Sequence, residues 1–375
     1  MNVIFTCGGT GGHINPAIAV ADILKQRHPD CNILFIGAKG HMEEQLVPRA
    51  GYRLECLPGS GLSRKLNLAG LKKNVNAVKS VLSAVNQCKR IIREFQPDVI
   101  VGTGGYASFP ALYAGSRMGI PTCVHESNAV PGLTTKLAAN KASKVLVCFE
   151  ESKSHYKHPE KVQVVGMPVR REFWELSRAD ARKALGIGEG ERLVVSTYGS
   201  QGAKVMNEMT ARLFALEQQA GFPFRHIHAV GKFGISWMPQ AVREQGVDLS
   251  QCPSIDMREY IYDMPTVLAA ADVVLGRSGS GTCNEIAATG TPCVLIPSPN
   301  VTNNHQEKNA RILENRGAAI VVTEGECTAE GVFRQIMQLL EDQTRCTAMS
   351  QALHQMGVAD SAQRICDIVE DLMKN

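Results

Sequence analysis

The sequence predicts an α/β protein of two doubly wound, parallel-sheet domains facing across a cleft. Three observations predict it. Short apolar runs alternate with helix-like segments through almost the whole chain. The runs are continuously apolar rather than alternating, which suits strands covered on both faces, as in parallel sheets. At 375 residues the chain exceeds what one core comfortably holds, so the runs divide into two sets.

In the first half, strands are expected at 3–7, 33–36, 53–57, 99–101, 122–124 and 145–149, with another ending at Gly166. In the second half they fall at 193–197, 226–230, 254–257, 273–275, 293–296 and 319–322. Helices between them make right-handed crossovers. The boundary is expected near "VVGMPVRREF", where Pro168 disfavours helix and a charged segment follows. A first domain then covers 1–168 and a second 169–356, with a last helix over 357–375 crossing back to the first.

Composition narrows the function classes. The chain is 44% hydrophobic and 20% charged without low-complexity tracts, as in soluble globular proteins. A formal net charge of only +4 does not point to nucleic acid. No apolar run reaches bilayer-spanning length. Met1 leads straight into the strand-like Val3-Ile4-Phe5, so no export signal is expected and the chain is placed on the cytoplasmic side. The twelve cysteines form no C-x-x-C pair. Neither a disulfide framework nor a metal site is expected; Cys123 and Cys148, inside apolar runs, read as small buried hydrophobes.

The chemistry concentrates where strands end, since open parallel sheets bind ligands beyond their carboxyl edges. Three loops run strand, glycines, helix: "CGGTGGHINP", "VGTGGYASFP" and "YGSQGAKVMN". Glycine lets backbone N–H groups approach an anion closely, and the following helix turns its positive end on the same spot. In the first loop Pro16 suits the first helical position with Asn15 as cap, so that helix is expected to start about there. A diphosphate is the natural guest, although glycines can also serve tight turns. The triphosphate loop G-x-x-x-x-G-K-[ST] is absent. A dinucleotide pattern fails at Ile14 but fits Gly102-Thr-Gly104-Gly-Tyr-Ala107 in its looser form, with Glu126 following at a suitable interval. An NAD-dependent oxidoreductase is therefore the rival class.

The stretch "GRSGSGTCNEIAATGTPCVLIPSPNVTNNHQEKNA" is the richest in the chain. A small-residue loop follows the strand at 273–275, and the helix beginning near Thr282 carries Glu285. A carboxylate accepts two hydrogen bonds side by side, matching the vicinal hydroxyls of a ribose. With a helix N-terminus beside it, one element can hold a nucleoside diphosphate from both ends. Ordinary helix electrostatics also favours a carboxylate there.

These residues resemble the MurG family of glycosyltransferases. The likeness runs along the chain through "GGTGGHINPAIAVA", "GTGGYASFPA", "HESNAVPGLTTKLAA", "GMPVR", "GSQGA", "YIYDM", "RSGSGTCNEIAATGTPCVLIP" and "NNHQEKNA". It implies a GT-B fold of two Rossmann-like domains, with the acceptor chiefly on the first and the donor chiefly on the second. It implies transfer of N-acetylglucosamine from UDP-N-acetylglucosamine to undecaprenyl-diphosphate-linked N-acetylmuramoyl-pentapeptide, without a cofactor. By the same likeness Thr10, Gly11, Gly12 and Asn128 contact the donor sugar. Arg170, Ser200 and the adjoining Gln201 meet the UDP portion, and Ile261 holds the uracil through its backbone. Ser280, Gly281, Thr282, Cys283 and Asn284 meet the diphosphate, Glu285 the ribose, and His305 and Gln306 the sugar or ribose. The chain departs from the family pattern at Tyr198, where glycine is usual, and at Gly281, where a larger apolar residue is common.

Inversion at the anomeric carbon needs a base for the acceptor 4-hydroxyl and stabilisation of the departing UDP. Helix-terminal N–H groups and Arg170 can supply the second, and no D-x-D metal clamp is present. His13 is the candidate base, since an unperturbed imidazole titrates near neutrality. Capping the loop or binding acceptor phosphate is its other reading. Glu126 is the alternative base, and His125 reads as an orienting residue. A UDP-N-acetylglucosamine 2-epimerase would need further acidic groups, and a GT-B enzyme with another lipid acceptor is the nearest rival.

Between Gly61 and Arg93 stand Arg64, Lys65, Lys72, Lys73, Lys79, Lys89, Arg90 and Arg93 with no acid among them. Leu68, Leu71, Val75, Val78, Leu82 and Val85 recur there at helical spacing. Such a segment can rest on an anionic leaflet, or simply pack its apolar face on the sheet.

Overall fold

A computed structural model describes residues 1–9, 11–58 and 68–374, and the side chains among them except those of 68–79. Thr10, Arg64 and Lys65 lie outside the described residues, as do the side chains of Leu68, Leu71, Lys72, Lys73, Val75, Val78 and Lys79. The chain divides into two compact units: Met1–Val169 with Asp360–Asn375, and Arg170–Ala359.

The first unit carries seven strands: β1 (Asn2–Thr6), β2 (Asn32–Ala38), β3 (Arg53–Leu57), β4 (Val99–Gly102), β5 (Thr122–Glu126), β6 (Lys144–Val147) and β7 (Val162–Val164). They form one parallel sheet in the order β3-β2-β1-β4-β5-β6-β7. Strand β1 shows why its middle, Val3-Ile4-Phe5, is apolar without a break. Val3 and Phe5 enter one core, with Val20, Leu24, Phe35, Ile365 and Val369, while Ile4 enters the other, with Leu34, Ile92, Ile100 and Val124. Both faces of the strand are buried, so period-two alternation gives no polar positions. The final helix, Ser361–Lys374, seals the first of these cores against the helix Gly11–Arg27, and Arg27 pairs with Asp367 at 2.6 Å.

The second unit holds β8 (Leu193–Thr197), β9 (Arg225–Ala229), β10 (Ile255–Arg258), β11 (Val273–Gly276), β12 (Cys293–Leu295) and β13 (Ile320–Val321). Their order is β10-β9-β8-β11-β12-β13, again parallel throughout. Each sheet runs outward in both directions from its first strand, so each has one switch point, β1/β4 and β8/β11. At such a point adjacent strand-end loops diverge and open a crevice. The glycine loops after β1, β4 and β8, and the small-residue loop after β11, all sit at these two points.

The start of the first helix differs from the sequence expectation. It begins at Gly11, five residues before Pro16, which lies inside it. The first turn of a helix has no intrahelical N–H partners to lose, and Pro16 stands just beyond it, so one missing rung is tolerated. His13 is thereby carried on the first helical turn rather than in a loop.

Candidate active site

At the β1/β4 switch point the two glycine loops are packed against each other. Thr6 O receives the Thr103 N–H at 3.0 Å and the Ser108 hydroxyl at 2.9 Å, and Thr6 Oγ1 donates to Ala107 O at 3.2 Å. Gly105 has φ +83°, and a Cβ placed on it would stand 2.2 Å from Gly8 O. A Cβ on Gly104 would stand 2.8 Å from His13 Nδ1. The glycines of the second loop thus clear room for protein, not ligand: one for the neighbouring backbone, the other for the imidazole. This counts against the dinucleotide reading, whose second fingerprint glycine, Gly104 here, should face a pyrophosphate and instead faces His13.

His13 is half-buried and doubly tied to Thr103. Its Nδ1–H donates to Thr103 O at 3.1 Å, and its own carbonyl accepts from Thr103 Oγ1 at 2.6 Å. A carbonyl only accepts, so the neutral ring carries its proton on Nδ1 and its lone pair on Nε2. That is the tautomer a general base needs, with the basic nitrogen directed by a fixed backbone contact.

Glu126 ends β5 and is buried. Its Oε1 accepts from the N–H and the side-chain Nδ2 of Asn128, both at 3.0 Å, and its Oε2 from the Gly132 N–H at 3.2 Å. Both oxygens are occupied in shaping the 127–132 loop and in aiming Asn128. His125 lies wholly within the fold, donates through Nε2 to Gly166 O at 2.8 Å, and has its basicity lowered by burial. It ties β5 to the end of the sheet beyond β7. Gly11 and Gly12 open the helix that carries His13.

At the β8/β11 switch point the arrangement is more open. Helix Ser280–Thr289 starts after Gly279 without a side-chain cap and closes on Gly290 at φ +64°. Added Cβ atoms on Gly279 or Gly281 would meet nothing within 4 Å. Thr282 lies in the first turn. Cys283 points into the core, where burial pushes its thiol up to about 12, so only its backbone can serve a ligand. Asn284 turns back to donate to Ser280 O at 2.9 Å. Glu285 is half-buried; desolvation pushes its carboxyl above the usual range, and the nearby Arg170 guanidinium partly offsets this. Arg170 is itself exposed and rests over the Phe173 ring at 5.3 Å.

Around this helix the remaining predicted residues take mixed postures. Ser200 and Gln201 are exposed, their carbonyls receiving the N–H groups of Lys232 (3.3 Å) and Phe233 (3.2 Å). Ile261 buries its side chain, leaving its backbone as the feature a base could read. Gln306 accepts the Ser298 N–H at 2.8 Å through Oε1, while His305 Nδ1–H donates to Thr302 O at 2.9 Å. The preceding Asn303 and Asn304 both adopt left-handed backbone, φ 55° and 50°.

Three bracing residues escape a reading of the sequence. Arg277, buried beside the small-residue loop, donates to Ile296 O at 2.9 Å and pairs with Glu324. Asn309, fully buried, donates to Ser278 O at 3.1 Å, and Ser278 Oγ donates to Gln306 O at 2.8 Å. Glu43 is fully buried beneath the first glycine loop. Arg277 and Asn309 stand inside the motif-rich stretch of the second unit; a charged or amide group beside an apolar strand end is the signal that could have found them.

The family model for the glycosyltransferase family 28 N-terminal domain matches residues 3–147, and that for the family's C-terminal domain matches 193–365. The chain belongs to glycosyltransferase family 28. It is 39% identical, over 100% of its length and 99% of the relative's, to the UDP-N-acetylglucosamine–N-acetylmuramyl-(pentapeptide) pyrophosphoryl-undecaprenol N-acetylglucosamine transferase of Acetivibrio thermocellus. A Bacillus cereus protein of the same description, numbered 1, is 37% identical over 100% of both chains. The crystal structure of Acinetobacter baumannii MurG superposes with a TM-score of 0.76 at 25% identity, covering 99% of each chain. Within the family, two Rossmann-like units define the GT-B fold, and this chain has both.

Proposed function

We propose that the chain is an inverting glycosyltransferase of peptidoglycan synthesis. It moves N-acetylglucosamine from UDP-N-acetylglucosamine to the 4-hydroxyl of undecaprenyl-diphosphate-linked N-acetylmuramoyl-pentapeptide. The observation that carries the reading is His13, held on a helix first turn with Nδ1 committed to Thr103 O at 3.1 Å and its lone pair on Nε2. A mere nucleotide-sugar binder has no need of a basic nitrogen fixed in this way. The full-length relatives, named for this transfer, support it.

In this reading His13 Nε2 takes the proton of the acceptor hydroxyl as that oxygen attacks the anomeric carbon. The bond to the UDP oxygen breaks, and the charge growing on the diphosphate is met by the first-turn N–H groups of helix Ser280–Thr289 and by Arg170. Glu285 accepts from the ribose hydroxyls, and the Ile261 backbone reads the uracil. Gly11, Gly12 and Asn128 face the sugar, with Glu126 positioning Asn128. Ser200, Gln201, His305 and Gln306 complete the donor contacts. The chemistry needs no cofactor.

The acceptor's lipid tail gives purpose to exposed apolar side chains on three helices of the first unit. Leu82, Tyr113, Leu133 and Leu137 are all exposed, and Arg90 and Arg93 stand on the same helix as Leu82, Leu68–Phe95. We assign these to peripheral contact with the anionic cytoplasmic leaflet. Among the described residues no helix is long and apolar enough to cross a membrane.

The test is UDP release from UDP-N-acetylglucosamine with and without a short-chain analogue of the lipid-linked muramoyl-pentapeptide. Release that depends on the acceptor is the expected result. Donor binding without acceptor-stimulated release would reject this acceptor.

A further inference from the structure

The first glycine loop is held from below by a carboxyl group that the reaction does not use. Glu43 opens the helix Glu43–Arg49, yet its side chain is fully buried and folds back beneath the loop. Its Oε1 accepts the Gly9 N–H at 3.0 Å and the Ala38 N–H at 3.2 Å, joining the end of β1 to the end of β2. Its Oε2 is enclosed and has no hydrogen-bond partner among the described residues. The fold makes room for this side chain: a Cβ on Gly37 would stand 3.0 Å from the Glu43 Cβ and Cγ. On its other side the loop meets Ala107, whose Cβ would lie 3.2 Å from a Cβ placed on Gly8. The first loop is thus sandwiched between Glu43 and the second glycine loop.

Two consequences follow from where the hydrogen bonds go. Gly9 sits at φ +90°, and its N–H points to Glu43, so this donor is withdrawn from any ligand. The following helix turn, whose first N–H groups have no intrahelical partner, also carries His13. Burying an acceptor with two short backbone contacts is stable only while both are kept, because an unpaired buried group bears its full desolvation cost. Glu43 therefore fixes the entry of the helix whose first turn carries the base.

We infer that Glu43 is a positioning residue for transfer: by holding Gly9 N–H and Ala38 N–H it sets the first glycine loop, and through it the His13 turn, for the acceptor hydroxyl. The inference rests on the functional reading above. It assigns Glu43 no contact with either substrate. Glutamine keeps an acceptor oxygen of the same reach, whereas alanine leaves both N–H groups without a partner.

The experiment measures kcat, acceptor KM and UDP affinity for wild type, Glu43→Ala, Glu43→Gln and Gly9→Ala. A Cβ on Gly9 meets nothing within 4 Å, so Gly9→Ala perturbs the same contact through the backbone alone. Glu43→Ala should lose about 100-fold in kcat over acceptor KM, the scale of a misplaced reacting group, with UDP affinity unchanged. Glu43→Gln should stay close to wild type, and Gly9→Ala should reproduce the loss. Glu43→Ala acting like wild type, glutamine failing as badly as alanine, or UDP affinity falling in step would each overturn the inference. Should Glu43→Ala not fold, Gly9→Ala and Glu43→Gln decide the question between them. Wild type lacking acceptor-dependent release would instead overturn the functional reading itself.

Discussion

The two switch points are built on the same topology and use it in opposite ways. At β1/β4 the loops close on one another: Gly105 lets the Gly8 carbonyl through, and Gly104 gives way to His13. At β8/β11 the helix Ser280–Thr289 starts uncapped, with nothing against Gly279 or Gly281. The first point fills its crevice with protein to aim one side chain. At the second, a helix starts without a side-chain cap, one turn before a carboxylate. The contrast fits a division of labour in which one unit supplies a base and the other holds an anion, and it shows that glycine in a strand-end loop does not by itself announce a phosphate.

Glycine substitutions test this contrast most severely. Gly105→Ala puts a methyl 2.2 Å from a backbone oxygen at positive φ. It should cost about 3 kcal/mol or more and separate the two loops, read as a fall in Tm together with loss of transfer. Gly281→Ala, with no protein atom against its methyl, should stay within about 0.5 kcal/mol of wild type in stability. Equal effects at the two positions would erase the distinction between a filled and an open switch point.

Glu285 sharpens the comparison from the donor side. Losing its ionised acceptor should raise the donor KM of Glu285→Gln by about 10- to 100-fold, the range of a charged hydrogen bond, while acceptor KM holds. The pH dependence has a defined sign. Burial holds the folded pKa above the unfolded one, so the ionised carboxylate costs stability at neutral pH, and that cost lifts as pH falls through the raised pKa. Glu285→Gln should therefore melt above wild type at pH 8, with the gap closing toward acid. Donor affinity of wild type should decline at a higher pH than an ordinary carboxylate would dictate. A glutamine variant melting below wild type at pH 8 would contradict the assignment.

Much of this architecture is legible in the sequence. Continuous apolar runs such as 3–5 and 99–101 mark strands buried on both faces, and glycine punctuation marks the strand ends where ligands bind. Glu285 and His13 are picked out because each stands beside the small residues that follow a strand end. The first helix is misplaced by sequence because Pro16 fits an N-terminal position so well; locally, nothing signals that the helix starts a turn and a half earlier. The glycines of the second loop suggest a ligand because sequence cannot say whether a missing Cβ faces a substrate or another loop. Glu126, the alternative base, has both oxygens taken by Asn128 and Gly132, contacts invisible until the 127–132 loop is folded. Glu43 escapes notice because its partner, Gly9, is 34 residues away and the contact exists only after β1 and β2 pair.

The central claim is that the proton of the acceptor hydroxyl goes to His13 and that Glu126 serves only to shape its loop. The most direct measurement is acceptor-dependent UDP release by His13→Ala beside Glu126→Gln, with UDP affinity as the control for folding. The account predicts a loss of about 10²- to 10⁴-fold in kcat for His13→Ala, as for removal of a general base, and a far smaller loss for Glu126→Gln, which keeps one acceptor oxygen. The opposite order, with His13→Ala near wild type and Glu126→Gln inactive, would contradict it and move the base to β5.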